Sequence, residues 1–147
     1  MSRRLGLVLV VLSAVIGGLL LASAMQVQAA RRPTEHERAD VARALMTRLE
    51  HDAPAVTLRV KSVVVSTKRP GPHSIYSRFA LARASGRDRS GHLIGSPLQG
   101  LAGFSRRFRT WVVIDYGSTE VGCEPVVFFG GRDRRAAILR DLGLGCP

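Results

Sequence analysis

From Arg31 onward the apolar residues follow two spacings, one suited to a helix and one to strands. In "RRPTEHERADVARALMTRLEH", Val41, Leu45 and Leu49 recur every four positions beside Ala42 and Met46, with charge on the opposite side. That spacing predicts a helix with a single apolar stripe. Thr34 and Glu37 have the separation of a capping box, in which each side chain satisfies the other's free amide. Pro54 closes the segment, since proline disfavours helix in the residue before it. The stripe has to lie against something, and the residues that follow predict a sheet.

"VTLRVKSVVVSTK" (56–68) alternates strictly at first, with Val56, Leu58 and Val60 set against Thr57, Arg59 and Lys61. Near Ser62 the alternation slips into Val63-Val64-Val65, which predicts a bulge or a fully covered strand end. "RPGPHS" (69–74) is turn chemistry. "IYSRFALARA" (75–84) reads as a second strand, although its alanines would also suit a helix. "SGRDRSGHLIGSP" (85–97), with three glycines and mixed charge, is expected to be a mobile loop. Residues 98–117 then predict a hairpin turning at Arg106 to Arg109. In its second arm Trp111, Val113 and Asp115 should point one way and Val112, Ile114 and Tyr116 the other. "RDRRAAILRDLG" (132–143) predicts a short helix that stops at Gly143.

Ahead of this body the pattern changes. A basic start, Arg3-Arg4, precedes an uncharged run from Leu5 to Ala24, and small residues follow at "ASA" and "VQA". That order is the order of a secretory signal peptide. The run also has the roughly 20 residues that can span a bilayer, so an uncut anchor is the alternative. Residues 1–30 are therefore read as a signal segment, cleaved or retained as an anchor, and residues 31–147 as one small domain working outside the cytoplasm.

The 147 residues carry a formal charge of +11, and Lys61 and Lys68 are the only lysines. Such a charge attracts anionic polymers and lipid head groups. A GC-rich coding bias produces the same arginine excess, so the charge names no partner by itself. The densest basic clusters are Arg106, Arg107 and Arg109, interleaved with Phe104 and Phe108, and Arg132, Arg134 and Arg135. Arginine beside aromatic rings suits nucleic-acid grooves and membrane surfaces. Export argues against nucleic acid and for an anionic envelope polymer or a lipid surface.

Two cysteines in an exported chain allow a single pairing, Cys123 with Cys146. The bridge would pin the last helix to the sheet edge and contribute roughly 3 kcal/mol by closing the intervening loop. Redox chemistry does not fit, because reactive dithiols favour a two-residue gap at a helix start. "WVVIDYG", then Gly122-Cys123, then "LGLGCP" resembles the ending of small exported proteins of high-GC bacteria, W-x-V-x-x-x-G followed by G-C and L-G-L-x-C. That resemblance implies export, a β-rich body and the same bridge, and it supplies no activity.

Other chemistry is thinly supported. Ser74 or Ser96, His73 or His92, and Asp115 could be written as a Ser-His-Asp trio, but no nucleophile-elbow motif accompanies them. Asp115, Glu120 and Glu124 could be paired acids, although charges of this kind usually sit on solvated loops. No paired Cys or His spacing suits zinc, and neither a metal nor another cofactor is expected. "PVVFFGG" (125–131) reads as a buried edge strand; exposed, Phe128 and Phe129 would mark a partner-binding patch. The expected fold is α+β: an amphipathic helix on an antiparallel sheet of about four strands, with a short C-terminal helix tied by the disulfide. Cystatin-like domains share that plan by analogy alone. The expected function is a non-catalytic exported module engaging a protein or an anionic envelope component. The alternatives are a small hydrolase using loop histidines and a structural envelope protein.

Overall fold

The structure, a computed structural model, describes residues 30–118, 121–123 and 126–146. It has the expected α+β architecture. Helix α1 (Glu35–Asp52) leads into four strands, β1 (Thr57–Val65), β2 (Tyr76–Arg87), β3 (Leu93–Ser105) and β4 (Trp111–Gly117), and the chain ends in α2 (Arg132–Asp141). The strands form an antiparallel meander in the order β1-β2-β3-β4. No helix among the described residues is long and apolar enough to cross a membrane, and residues 5–24 lie outside them.

The capping box is present in full: Glu37 N donates to Thr34 Oγ1 and Thr34 N to Glu37 Oε2. It starts α1 so that Val41, Leu45 and Leu49 face the sheet and are buried. Beneath the helix lie Ala80, Ala82 and Ala84 of β2, all buried. These are the alanines that suited a helix in the sequence; in the strand their small side chains let α1 come close. Gly100 serves the same approach from β3, because a Cβ there would stand 2.6 Å from Leu45 Cδ1.

The bulge expected near Ser62 is present, as a register shift between Val60 and Ser62. A second bulge corrects the strict alternation expected for β4. Leu101 pairs with Asp115 and the adjacent Ala102 with Val113, so Ile114 is the extra residue. Asp115 and Tyr116 consequently exchange faces. Asp115 accepts from Gly122 N at 2.7 Å, while Tyr116 packs with the α1 cluster and donates its hydroxyl to Asp52 at 2.7 Å.

The loop expected over 85–97 is much shorter. Strand β2 continues to Arg87 and β3 begins at Leu93. The Asp88 carboxylate closes the turn by accepting from Ser90 N, Ser90 Oγ and His92 N. These hydrogen bonds, Ser90 foremost, hold the Asp88 carboxyl below its usual range.

The sheet's second face carries another core, and the C-terminal segment covers it. Ile138 and Leu139 of α2, with Leu142 just after it, pack with Phe79, Leu81 and Leu101. Residues Val126–Phe129 form a 3-10 turn, not the edge strand expected from "PVVFF". Phe129 is fully buried and stacks on Phe79 with centroids 4.7 Å apart, and Phe128 meets Tyr76 edge-on. Of the expected Phe128–Phe129 partner patch, Phe129 is therefore core and Phe128 is partly buried against it, because these rings cover an apolar sheet face. Cys123 and Cys146 are joined, with Cα atoms 5.5 Å apart. The bridge fastens α2 over the face of the sheet, not its edge. Gly143, with φ of 74°, stops α2 as expected.

Candidate anion-binding cleft

At the N-terminal end of α1 four separate segments bring cations together. Arg31 enters by an antiparallel bridge to Val65, with backbone hydrogen bonds of 2.9 and 3.0 Å. The β1–β2 loop supplies Lys68 and Arg69, the register shift between Tyr76 and Phe79 presents Arg78, and the β3–β4 turn supplies Arg106. With hydroxyls from Ser66, Thr67 and Ser77 these five side chains line a cleft of about 560 Å³.

One carboxylate organises the site. Glu37 is buried, and its two oxygens accept from both Nη atoms of Arg31 at 2.6 and 2.7 Å. Arg78 Nη1 donates to the same Oε1 at 2.6 Å, which sets the two guanidiniums side by side. The Arg31 hydrogen bonds are the main reason that the Glu37 carboxyl falls from 4.5 to about 2; burial opposes them, and the Thr34 amide and the charge of Arg78 assist. The same hydrogen bonds raise Arg31 further above its ordinary range. Arg78 also lies over the Phe104 ring at 4.6 Å and near that of Trp111 at 5.6 Å, a cation–π arrangement that fixes its plane. The side chains of Arg31 and Arg78 are still 39% and 41% exposed, so both remain accessible from solvent.

The loop is braced from behind. Asp141, the buried last residue of α2, accepts from Ser66 Oγ at 2.6 Å and from Thr67 N at 2.7 Å. On its far side, Gly71 N donates to Phe129 O at 2.9 Å. The disulfide-fastened C-terminal segment thus supports the loop that carries Lys68 and Arg69. Arg106 is tethered as well, through Nε to Tyr76 O at 3.3 Å and N to Ile75 O at 3.0 Å. Among the described residues, Lys68, Arg69 and Arg106 have no carboxylate within ion-pair distance. A broader groove of about 900 Å³ along β1 shares Arg31 and adds Arg32, Arg38, Lys61 and Arg83, faced by Glu35 and Asp141. Among the described residues, no side-chain hydrogen bond holds those four added cations in place.

Of the six arginines singled out by the sequence, only Arg106 lines the cleft. Arg107 lies over the Phe108 ring, and Arg109 takes a positive φ of 54° in the turn. Arg132 and Arg134 are exposed on the first turn of α2, while Arg135 donates to the Cys123 carbonyl. Arg31, Lys68, Arg69 and Arg78 escaped the sequence reading because they lie in three short stretches spread over 48 positions, none as dense as the clusters singled out. One signal was available: Arg78 interrupts an apolar strand between two aromatic residues, a position that calls for an acid or a ring.

The residues of a Ser-His-Asp trio are engaged elsewhere. Ser74 is buried, donates Oγ to Phe128 O and accepts from Tyr76 N. His73 is exposed, and His92 lies 3.3 Å from Ser90 Oγ. No hydrogen bond among the described residues joins Ser74, a histidine and Asp115. Glu120 and Glu124 lie outside the described residues, as does the side chain of Ser96. Set against protein-family models, curated proteins and solved structures, the chain matches none of them.

Proposed function

We propose that this protein is an exported, non-catalytic binding module that engages an anionic component of the cell envelope through the cleft at Arg31, Lys68, Arg69, Arg78 and Arg106. The observation that carries the reading is the convergence of five cations from four segments on one cleft, where, among the described residues, Glu37 is the one carboxylate ion-paired to them. Sequence bias scatters arginines over a surface; it does not provide a buried acid and two aromatic rings to hold them. Export is supported by the N-terminal order of charge, apolar run and small residues, and by the disulfide.

The test is co-sedimentation with phosphatidylcholine vesicles containing phosphatidylglycerol, across a salt series. Binding at low ionic strength that weakens steadily as salt rises is the expected result, since exposed charges are screened. Absence of binding at low salt overturns the reading.

A further inference from the structure

We infer that the group this cleft recognises is a phosphate, carried either on a lipid head group or on a small soluble molecule; the inference rests on the binding function proposed above. The donors left over after the internal hydrogen bonds are counted support it. A guanidinium has five N–H donors in a fixed plane. Arg31 gives Nη1 to Glu37 Oε2 and to Arg32 O, and Nη2 to Glu37 Oε1. Its Nε and the second hydrogen of Nη2 have no partner among the described residues, and together they form the two-donor edge that pairs with an oxyanion. Among the described residues, the side-chain hydrogen bonds of Arg78 and Arg106 are those of Arg78 Nη1 to Glu37 and Arg106 Nε to Tyr76 O. Each keeps the rest of its fork.

Three guanidiniums are therefore held before any ligand arrives, and each retains donors. Fixing them in advance removes part of the ordering cost of binding. Glu37 neutralises one charge of the Arg31–Arg78 pair, which lets two cations lie side by side without an external anion. They come from different segments, Arg31 from the bridge before α1, Arg78 from β2 and Arg106 from the turn after β3, so their donors approach from more than one direction. A carboxylate presents two coplanar oxygens, which a single guanidinium edge satisfies. A phosphate presents oxygens in a tetrahedron and can engage several forks at once. Lys68 and Arg69, on the loop that borders the cleft, add charge with no ion-pair partner among the described residues.

Calorimetric titration of the intact, oxidised protein at low ionic strength tests this, using inorganic phosphate, glycerol 3-phosphate and acetate. In parallel, phosphatidylcholine vesicles carry either phosphatidic acid or oleate at matched surface charge. The phosphate-bearing probes should bind about tenfold or more tighter than the carboxylates. Arg78→Lys and Arg106→Lys, which keep charge but lose the planar fork, should each remove most of that preference; circular dichroism confirms that each variant is folded, and Arg106→Lys changes only an exposed turn residue. Binding of glycerol 3-phosphate supports a soluble phosphorylated ligand, and binding confined to phosphatidic acid vesicles supports a membrane head group. Equal affinity for phosphate and carboxylate, or a preference untouched in both lysine variants, overturns the inference while leaving the binding function standing. No binding to any probe overturns both.

Discussion

Replacing Glu37 with glutamine removes one charge and almost no volume. The substitution is informative because a capping box accepts glutamine as well as glutamate, so the start of α1 survives it. What it deletes is the anion shared by Arg31 and Arg78. The carboxyl titrates at about 2 in the folded protein against 4.5 for the unperturbed group, and the difference corresponds to about 3 kcal/mol of stability. Both arginines are partly exposed and regain water when the carboxylate is lost, so about 2 kcal/mol is the expected loss at neutral pH. The sign follows from the lowered value. The stabilisation is fully present above pH 4.5 and disappears as pH falls toward 2. Urea unfolding of wild type and Glu37→Gln at a series of pH values isolates the effect, because every other titrating group cancels in the difference. The gap between the two proteins should be widest at pH 7 and close progressively below pH 4.5. A gap smaller than about 0.5 kcal/mol at pH 7, the ordinary range for a surface substitution, would refute the reasoning. So would a gap that does not change with pH.

Three further outcomes follow from the same contacts. Replacing both Cys123 and Cys146 with serine should cost about 3 kcal/mol in denaturant unfolding, and the native protein should yield no alkylatable thiol without reductant. Phe129→Ala should cost about 3 to 5 kcal/mol, since the ring is fully buried and stacked on Phe79; a loss below about 1 kcal/mol would mean that the 3-10 turn is not seated on the sheet. Gly71→Ala places a Cβ 2.5 Å from the Gly130 carbonyl oxygen, a backbone atom that cannot swing aside. It should displace the loop bearing Lys68 and Arg69, lowering both thermal stability and affinity for anionic vesicles.

The helices and the strand count were legible in the sequence because local rules govern them. Thr34 and Glu37 announce a cap and Gly143 a stop, each satisfied within a few residues of itself, while the spacing of Val41, Leu45 and Leu49 shows a helical stripe before its partner is known. The failures have a common origin in tertiary demand. The ring pair Phe128–Phe129 looked like a strand, yet it folds into a 3-10 turn because the second sheet face needed covering. The bulge at Ile114 exchanged Asp115 and Tyr116 because one bonds the loop at Gly122 and the other reaches α1 at Asp52. The cleft was the least legible feature. Density of charge along the chain pointed to residues 105–109 and 130–135, whereas the site gathers Arg31, the pair Lys68-Arg69, Arg78 and Arg106 from segments that meet only in three dimensions. Glu37 was recognised for its backbone role alone; its second role requires Arg31 and Arg78 to be placed beside it.

The central claim is that binding resides in this cleft and not in the excess charge of the whole surface. Two variants with the same change in net charge separate these directly: Lys68→Glu with Arg69→Glu at the cleft, and Arg132→Glu with Arg134→Glu on the exposed first turn of α2. Their affinities for phosphatidylglycerol-containing vesicles, measured side by side at low ionic strength, should differ by at least about tenfold, with the cleft pair the weaker. Equal losses in the two variants would show that the protein binds through its overall charge, and the cleft would have no special part.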